Sequence, residues 1–171
     1  MNEFKFSWGR AAMLLALLLA LAGCREPAKI PLGVPAPPIQ AEGWLNGKLP
    51  SESDLKGKVV VVDAFGYWCP PCRAEAPELV ETHRRYAPQG VVFVGLTPDG
   101  SNSLSEISTF VQETGMTWPI GYGAQQSLVA FNVEYFPTLI VIGADGRIAW
   151  TNEERGTLGV ALDRALRAAK K

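Results

Sequence analysis

Two cysteines separated by two residues, Cys69 and Cys72, have the side chains best suited to chemistry in this chain. They follow the apolar run 59–65, which predicts a buried strand, and prolines at the next positions predict a helix start. Unpaired N–H groups and the dipole at a helix N-terminus stabilise a thiolate at Cys69. A thiolate with a second cysteine in reach can attack a disulfide, and the second cysteine can then release the product. The pair therefore predicts thiol–disulfide exchange.

The cysteine count favours a redox pair over a structural or metal-binding one. The chain has three cysteines, at 24, 69 and 72, whereas a disulfide framework needs more of them, spread along the chain. A bridge that closes so short a loop also stabilises weakly. A closed zinc site takes four ligands, but there is no second CxxC and the only histidine is His83. We therefore expect no metal and no other cofactor.

The N-terminal segment is typical of an export signal. Lys5 and Arg10 precede an apolar run at 11–22, which is too short for a typical membrane span. The run ends in Leu-Ala-Gly-Cys, a tetrapeptide that resembles the bacterial lipobox, so we expect residues 1–23 to be removed and Cys24 to be lipidated. The alternatives are an uncleaved anchor, or an ordinary signal followed by a stray cysteine.

The rest of the chain is expected to form one domain behind a linker. Five prolines fall between residues 25 and 38, and they favour a stiff, extended spacer. Residues 24–38 are thus predicted to be the lipidated cysteine and its linker, and residues 39–171 the folded domain. With 16 basic and 17 acidic residues and no basic stripe, the chain is not expected to bind nucleic acid.

Hydrophobic periodicity predicts an α/β domain. Strands are expected at 59–65, 91–96, 138–142 and 147–151, with a short one near 118–120. Helices are expected at 70–87, 103–114 and 125–131 and from residue 158 onward. Asn46-Gly47 predicts a small hairpin that places an edge element ahead of the main sheet. Alternating elements followed by a hairpin and a helix predict a mixed sheet covered on both faces.

Element order and motifs together resemble the thioredoxin fold, and more closely its membrane-tethered extracytoplasmic branch, the TlpA/ResA-like thiol–disulfide oxidoreductases. Three stretches carry the resemblance: the lead-in at 54–60, the WCxxCxxExP pattern at 68–77, and Phe-Pro-Thr-Leu at 136–139 with Asp-Gly-Arg-Ile at 145–148. The resemblance implies a thioredoxin-like fold with a mixed central sheet, helices on both faces and a short N-terminal β extension.

The resemblance also assigns roles to residues. It makes Cys69 the attacking thiolate and Cys72 the resolving thiol. It makes Pro137 a cis-proline that faces the cysteines. A substrate groove is then expected from Trp68, Pro70, Pro71, Phe136 and Pro137. For Trp68 and Phe136, plain packing is the alternative.

The prolines between the cysteines affect how the Cys69 thiolate is stabilised. Neither has an N–H, so two possible donors to the Cys69 sulfur are missing. The N–H groups of Cys72 and Arg73 and the Arg73 charge are therefore expected to contribute more.

Two acidic residues are candidates for proton transfer. Asp63 lies six residues before Cys69 inside an apolar strand, where an idle carboxylate is costly to bury. Cytoplasmic thioredoxins have an aspartate at this spacing that helps deprotonate the second cysteine, whereas many members of the tethered branch have asparagine. Glu75 follows Cys72 by three residues on the same helix face, and the resemblance implies an effect on the thiol pKa values. The alternatives are a solvated Asp63 at the strand end and a surface Glu75.

These features lead to an expected function. We expect a lipid-anchored oxidoreductase of the bacterial cell envelope, monomeric and facing the extracytoplasmic side. Its partners would be exported protein thiols and disulfides, with apocytochromes c as a candidate class, and a membrane electron donor or acceptor.

Two other functions are compatible with such a fold. A peroxiredoxin-like enzyme would need a lone peroxidatic cysteine with a nearby threonine and arginine. A copper chaperone would use CxxxC and a distant histidine, whereas His83, expected on a solvated helix face, lies eleven residues past Cys72.

Overall fold

A computed structural model describes residues 29–170. The predicted signal sequence, Cys24 and the first part of the predicted linker lie outside these residues. Within 29–170, no helix combines the length and apolar character needed to cross a bilayer.

The described residues form six strands and five helices. The strands are β1 (Gly43–Leu45), β2 (Val60–Ala64), β3 (Val92–Leu96), β4 (Ile120–Tyr122), β5 (Thr138–Ile142) and β6 (Ile148–Thr151). The helices are α1 (Glu52–Leu55), α2 (Pro70–Tyr86), α3 (Leu104–Thr114), α4 (Gln125–Ala130) and α5 (Leu158–Ala169), with 3₁₀ turns at Ala87–Gln89 and Ser101–Ser103.

The strands form one sheet in the order β1-β4-β3-β2-β5-β6. Strands β2, β3 and β4 are parallel, whereas β1 is antiparallel to β4, β5 to β2, and β6 to β5. The central strand β2 therefore has a parallel neighbour on one side and an antiparallel one on the other. The predicted mixed sheet is confirmed.

Alternating side chains of β2 supply both layers of the core. Val61 packs in a cluster with residues of α2, α3 and α5, and Val60 and Val62 pack with α1, α4 and the N-terminal segment. Each buried valine of this kind stabilises the fold by about 1.5–3 kcal/mol. Helices thus cover both faces, as predicted, and Asp63 falls on the face that carries α2.

The edge element ahead of the main sheet is present, but the predicted hairpin at Asn46-Gly47 is wrong. Strand β1 pairs with β4, with Gly43 opposite Tyr122, and not with the strand that follows it. Asn46 and Gly47 do turn the chain, both at positive φ, and the turn leads toward α1. The Asn46 amide then donates to the Met116 carbonyl at 2.8 Å, which ties this turn to a distant loop.

The described end of the predicted linker differs from a free spacer. The Gly33 N–H donates to the Ile148 carbonyl at 2.8 Å, and the Ile148 N–H donates to the Val34 carbonyl at 2.9 Å. Ile30 is 4% exposed and packs in the same cluster as Ile148. An edge strand leaves backbone groups unpaired, and this segment satisfies those of Ile148 in β6. Residues 30–36, which belong to the predicted linker, therefore pack against the predicted domain.

Candidate active site

The cysteines lie at the start of α2, the longest helix, just after the central strand β2. Strand β2 ends at Ala64, and five residues later Cys69 forms the N-cap of α2, with prolines at the first two helical positions. Proline suits these positions because its missing N–H would have no partner in the first turn. Cys69 and Cys72 form a disulfide with their Cα atoms 5.3 Å apart.

One backbone donor reaches the Cys69 sulfur from the start of the helix. The Cys72 N–H donates to Cys69 Sγ at 3.2 Å, whereas the Arg73 N–H donates to the Cys69 carbonyl. The Arg73 guanidinium binds Glu113 on α3 at 2.7 Å and lies 4.9 Å from the centre of the Phe110 ring. The Arg73 charge is therefore paired with a carboxylate. Of the groups expected to support a thiolate, the Cys72 N–H is the one in contact with sulfur.

Both cysteines are nearly covered in the disulfide form. Cys69 is 5% exposed and Cys72 is 3% exposed. Access to sulfur is therefore narrow, and it depends on the side chains around the helix start.

Trp68 stands beside the disulfide in a fixed orientation. It is 53% exposed, yet its indole N–H donates to both carboxylate oxygens of Asp99, at 3.1 and 3.2 Å. Thr97 in turn donates its hydroxyl to Asp99 at 2.9 Å. The ring lies over Gly66, where an added Cβ would be 2.8 Å from an indole carbon. An exposed aromatic face is thus held in place by a hydrogen-bond network below it.

Asp99 is a residue that the sequence analysis missed. It lies in the Thr-Pro-Asp-Gly turn at 97–100, directly after β3. A usable signal existed, because the carboxyl ends of parallel strands meet at one edge of a sheet, where sites form. The turn after β3 must therefore lie beside the residues after β2.

The loop before β5 reaches the same edge of the sheet. The Phe136–Pro137 peptide bond is cis, as the resemblance implied. Thr138 pairs with Ala64 of β2, and the Phe136 ring contacts Trp68 edge-on at 5.7 Å. Two of the predicted groove residues are thus in direct contact. Pro70 and Pro71 are exposed on the first turn of α2, and Pro137 is half-buried.

Asp63 is buried beneath the cysteines' helix, so the alternative of a solvated strand end is wrong. It is 2% exposed, and its Oδ2 atom has no hydrogen-bond partner. Burial raises the pKa of Asp63 to about 8, with a smaller contribution from the negative charge of Glu75. At neutral pH Asp63 is therefore mainly protonated.

Glu75 is half-buried and interacts with Asp63 through charge. Burial, followed by the charge of Glu78, raises the pKa of Glu75 above its usual range. Glu75 also lines a cavity of about 170 Å³ between α2 and the residues after β6, together with Thr82 and Asn152. The structure thus brings both predicted acids to the α2 side of the sheet.

The sequence predicted a solvated helix face for His83, and this prediction is wrong. The His83 ring packs against Phe93 and Trp118, with 5.0 Å between ring centres in both cases. Burial lowers the pKa of His83. This side chain is therefore part of an aromatic cluster between α2 and the sheet.

Comparisons with known proteins agree with this geometry. A family model described as redoxin matches residues 31–165, and the chain belongs to this family. The thiol-disulfide oxidoreductase ResA of Bacillus subtilis is 31% identical in an alignment of 146 positions that covers 81% of this chain and 80% of that protein. ResA of Geobacillus kaustophilus is 33% identical, and the alignment covers 81% of this chain and 82% of that protein.

A solved structure gives the same result. A thiol:disulfide interchange protein of the thioredoxin family from Chlorobium tepidum aligns with a TM-score of 0.64 at 28% identity, over 84% of this chain and all of that chain. The protein is a thiol–disulfide oxidoreductase of the thioredoxin superfamily. Within that superfamily it is ResA/TlpA-like.

Proposed function

We propose that this protein is a lipid-anchored, extracytoplasmic oxidoreductase that exchanges its Cys69–Cys72 pair with the cysteines of exported proteins. The observation that carries the proposal is the Cys69–Cys72 disulfide at the start of α2, with the Cys72 N–H on the Cys69 sulfur. Donors at that place stabilise the negative charge that develops on Cys69 when the disulfide opens.

The reaction in the reducing direction has two steps. The Cys69 thiolate attacks a substrate disulfide, which forms a mixed disulfide and releases one substrate thiolate. Cys72 then loses its proton and attacks Cys69 Sγ, which re-forms the protein disulfide and releases the second substrate thiolate. Two electrons pass from the protein to the substrate, and a membrane electron donor returns the pair to the dithiol.

Asp63 is proposed to accept the Cys72 proton in the second step in its ionised form, which becomes the main form above about pH 8. A thiol has an ordinary pKa near 8.5, and burial places the pKa of Asp63 at about 8, so a proton can pass between them with little cost. Glu75 is proposed to modulate this transfer, because its charge acts on Asp63. The two acids and the thiol then titrate as one coupled system.

The substrate is proposed to lie along Trp68, Pro70, Pro71, Phe136 and Pro137. Trp68, Pro70 and Pro71 flank Cys69 in the chain, the Phe136 ring contacts Trp68, and the indole N–H is hydrogen-bonded to Asp99. An extended peptide can place its own disulfide over Cys69 there. The resemblance to the tethered branch supports cysteine pairs of apocytochromes c as the substrate class.

The function is tested by exchange with a protein disulfide. The reduced protein should reduce insulin disulfides with formation of the Cys69–Cys72 bridge, and mild alkylation at about pH 6, well below the ordinary thiol pKa, should label Cys69 before Cys72. Copper and peroxide are tried in parallel. Tight stoichiometric copper binding or rapid peroxide consumption without insulin reduction would favour the chaperone or peroxidase alternative and contradict the proposal.

Lipidation at Cys24 makes a separate prediction. In cells fed a labelled fatty acid, the full chain should carry the label and sediment with membranes, because two acyl anchors hold a protein stably. A Cys24→Ser variant should lose both properties, while Cys72→Ser, as the matched cysteine control, should keep them. A labelled, processed Cys24→Ser protein would show that the anchor lies elsewhere.

A further inference from the structure

Asn152, the residue that follows β6, makes three hydrogen bonds with the main chain of Pro137 and Leu139. Its backbone N–H donates to the Leu139 carbonyl at 3.0 Å, which is an ordinary extension of the β5–β6 pairing. Its side-chain oxygen accepts from the Leu139 N–H at 3.1 Å, and its side-chain nitrogen donates to the Pro137 carbonyl at 3.2 Å.

These contacts extend the ladder beyond the end of the strand. Ile140 pairs with Thr151, so Leu139 and Asn152 are the next partners along β5 and β6. The Leu139 N–H bonds to the Asn152 side chain, and the same amide group reaches the Pro137 carbonyl. An amide suits this task because it offers an acceptor and a donor at once.

The Pro137 loop, which Asn152 holds in this way, contributes Phe136 and Pro137 to the proposed groove. Residues 135–138 also contain an internal bond, because the Thr138 hydroxyl donates to the Tyr135 carbonyl at 2.7 Å. Phe136 contacts Trp68, so a shift of the loop would change the surface over the disulfide.

We infer that Asn152 is a positioning residue that sets the Pro137 loop for protein substrates. The inference rests on the proposed function, since it assigns the loop to substrate binding. Asn152 acts through the main chain of Pro137 and Leu139 and takes no part in the exchange itself. Its loss should therefore weaken docking of a large substrate and leave the intrinsic reactivity of the cysteines unchanged.

The test compares two disulfides in the full chain. With insulin, Asn152→Ala should raise KM about tenfold with a smaller change in kcat, the effect expected when one or two neutral hydrogen bonds are lost. With hydroxyethyl disulfide, which is too small to use the groove, the second-order rate should stay within about twofold of wild type. The pH profile of that small-substrate rate should also be unchanged.

A second variant and a matched control separate positioning from general stability. Asn152→Asp keeps an acceptor for the Leu139 N–H but places a second acceptor against the Pro137 carbonyl, so its KM for insulin should rise at least as much. Asn46→Gly removes an amide-to-carbonyl bond of similar length at the opposite edge of the sheet, and it should leave the KM for insulin and the rate with hydroxyethyl disulfide at the wild-type level.

Three results would overturn the inference: an unchanged KM for insulin in both Asn152 variants, an equal loss with both disulfides, or the same rise in KM in Asn46→Gly. Failure of the wild-type protein to reduce insulin would instead contradict the proposed function, so the two failures are distinguishable.

Discussion

A Cys72→Ser variant is expected to hold its substrate as a stable mixed disulfide on Cys69, while Cys69→Ser loses exchange by at least about a thousandfold. The reason is the order of the two steps. Cys69 has the helix N-terminus and the Cys72 N–H to stabilise its thiolate, and Cys72 is needed only to release the product. The measurement is non-reducing electrophoresis of each variant after incubation with an oxidised protein substrate, followed by mass spectrometry of the trapped species.

The control for these variants is Cys24→Ser, which removes the third cysteine and lies outside the proposed active site. It should exchange at the wild-type rate when assayed in detergent. A mixed disulfide that accumulates in Cys69→Ser and is absent from Cys72→Ser would reverse the roles of the two cysteines.

Asp63→Asn is expected to stabilise the oxidised protein relative to wild type by about 5 kcal/mol more at pH 8 than at pH 4. The unfolded chain loses the Asp63 proton near the ordinary aspartate pKa of 3.8, whereas burial keeps that proton in the folded chain until about pH 8. Between these values the folded state binds more protons, so the free energy of unfolding of wild type falls as pH rises. Asparagine does not ionise, and the variant should lose this part of the pH dependence.

The same substitution should have a cost in the reaction. Without the carboxylate, resolution of the mixed disulfide by Cys72 should slow by at least about tenfold, while the first attack by Cys69 changes less. Glu75→Gln is the matched comparison, and it should shift the pH dependence of release by a smaller amount.

Urea unfolding from about pH 4 to 9 and stopped-flow exchange from about pH 6 to 9 provide the two measurements, because these windows span the ordinary carboxyl and thiol pKa values. If Asp63→Asn has the same pH dependence of unfolding as wild type, Asp63 is ionised in the folded protein and the proton assignment fails. If only the release rate is unchanged, Asp63 is a structural residue with a raised pKa.

The candidate chemistry and most of the fold could be predicted because they depend on local patterns. The CxxC spacing, the prolines that start α2 and the alternation in β2 are all readable within a few residues. The burial of Asp63 could also be predicted, because neighbouring residues on both sides of it form an apolar strand that is expected to be buried. The cis bond at Pro137 came from the resemblance, because trans is the commoner isomer for any single proline.

What the tertiary structure decided is which distant groups meet around those cysteines. Trp68 is held by Asp99, 31 residues away, and Arg73 is paired with Glu113, 40 residues away. His83 enters an aromatic cluster, and Gly33 and Val34 bond to Ile148 at the edge of β6. Asn152 reaches the Pro137 loop only because the end of β6 lies beside the start of β5. Periodicity determines which face a residue occupies, whereas hydrogen-bond partners depend on strand order and loop path, which are properties of the folded chain as a whole.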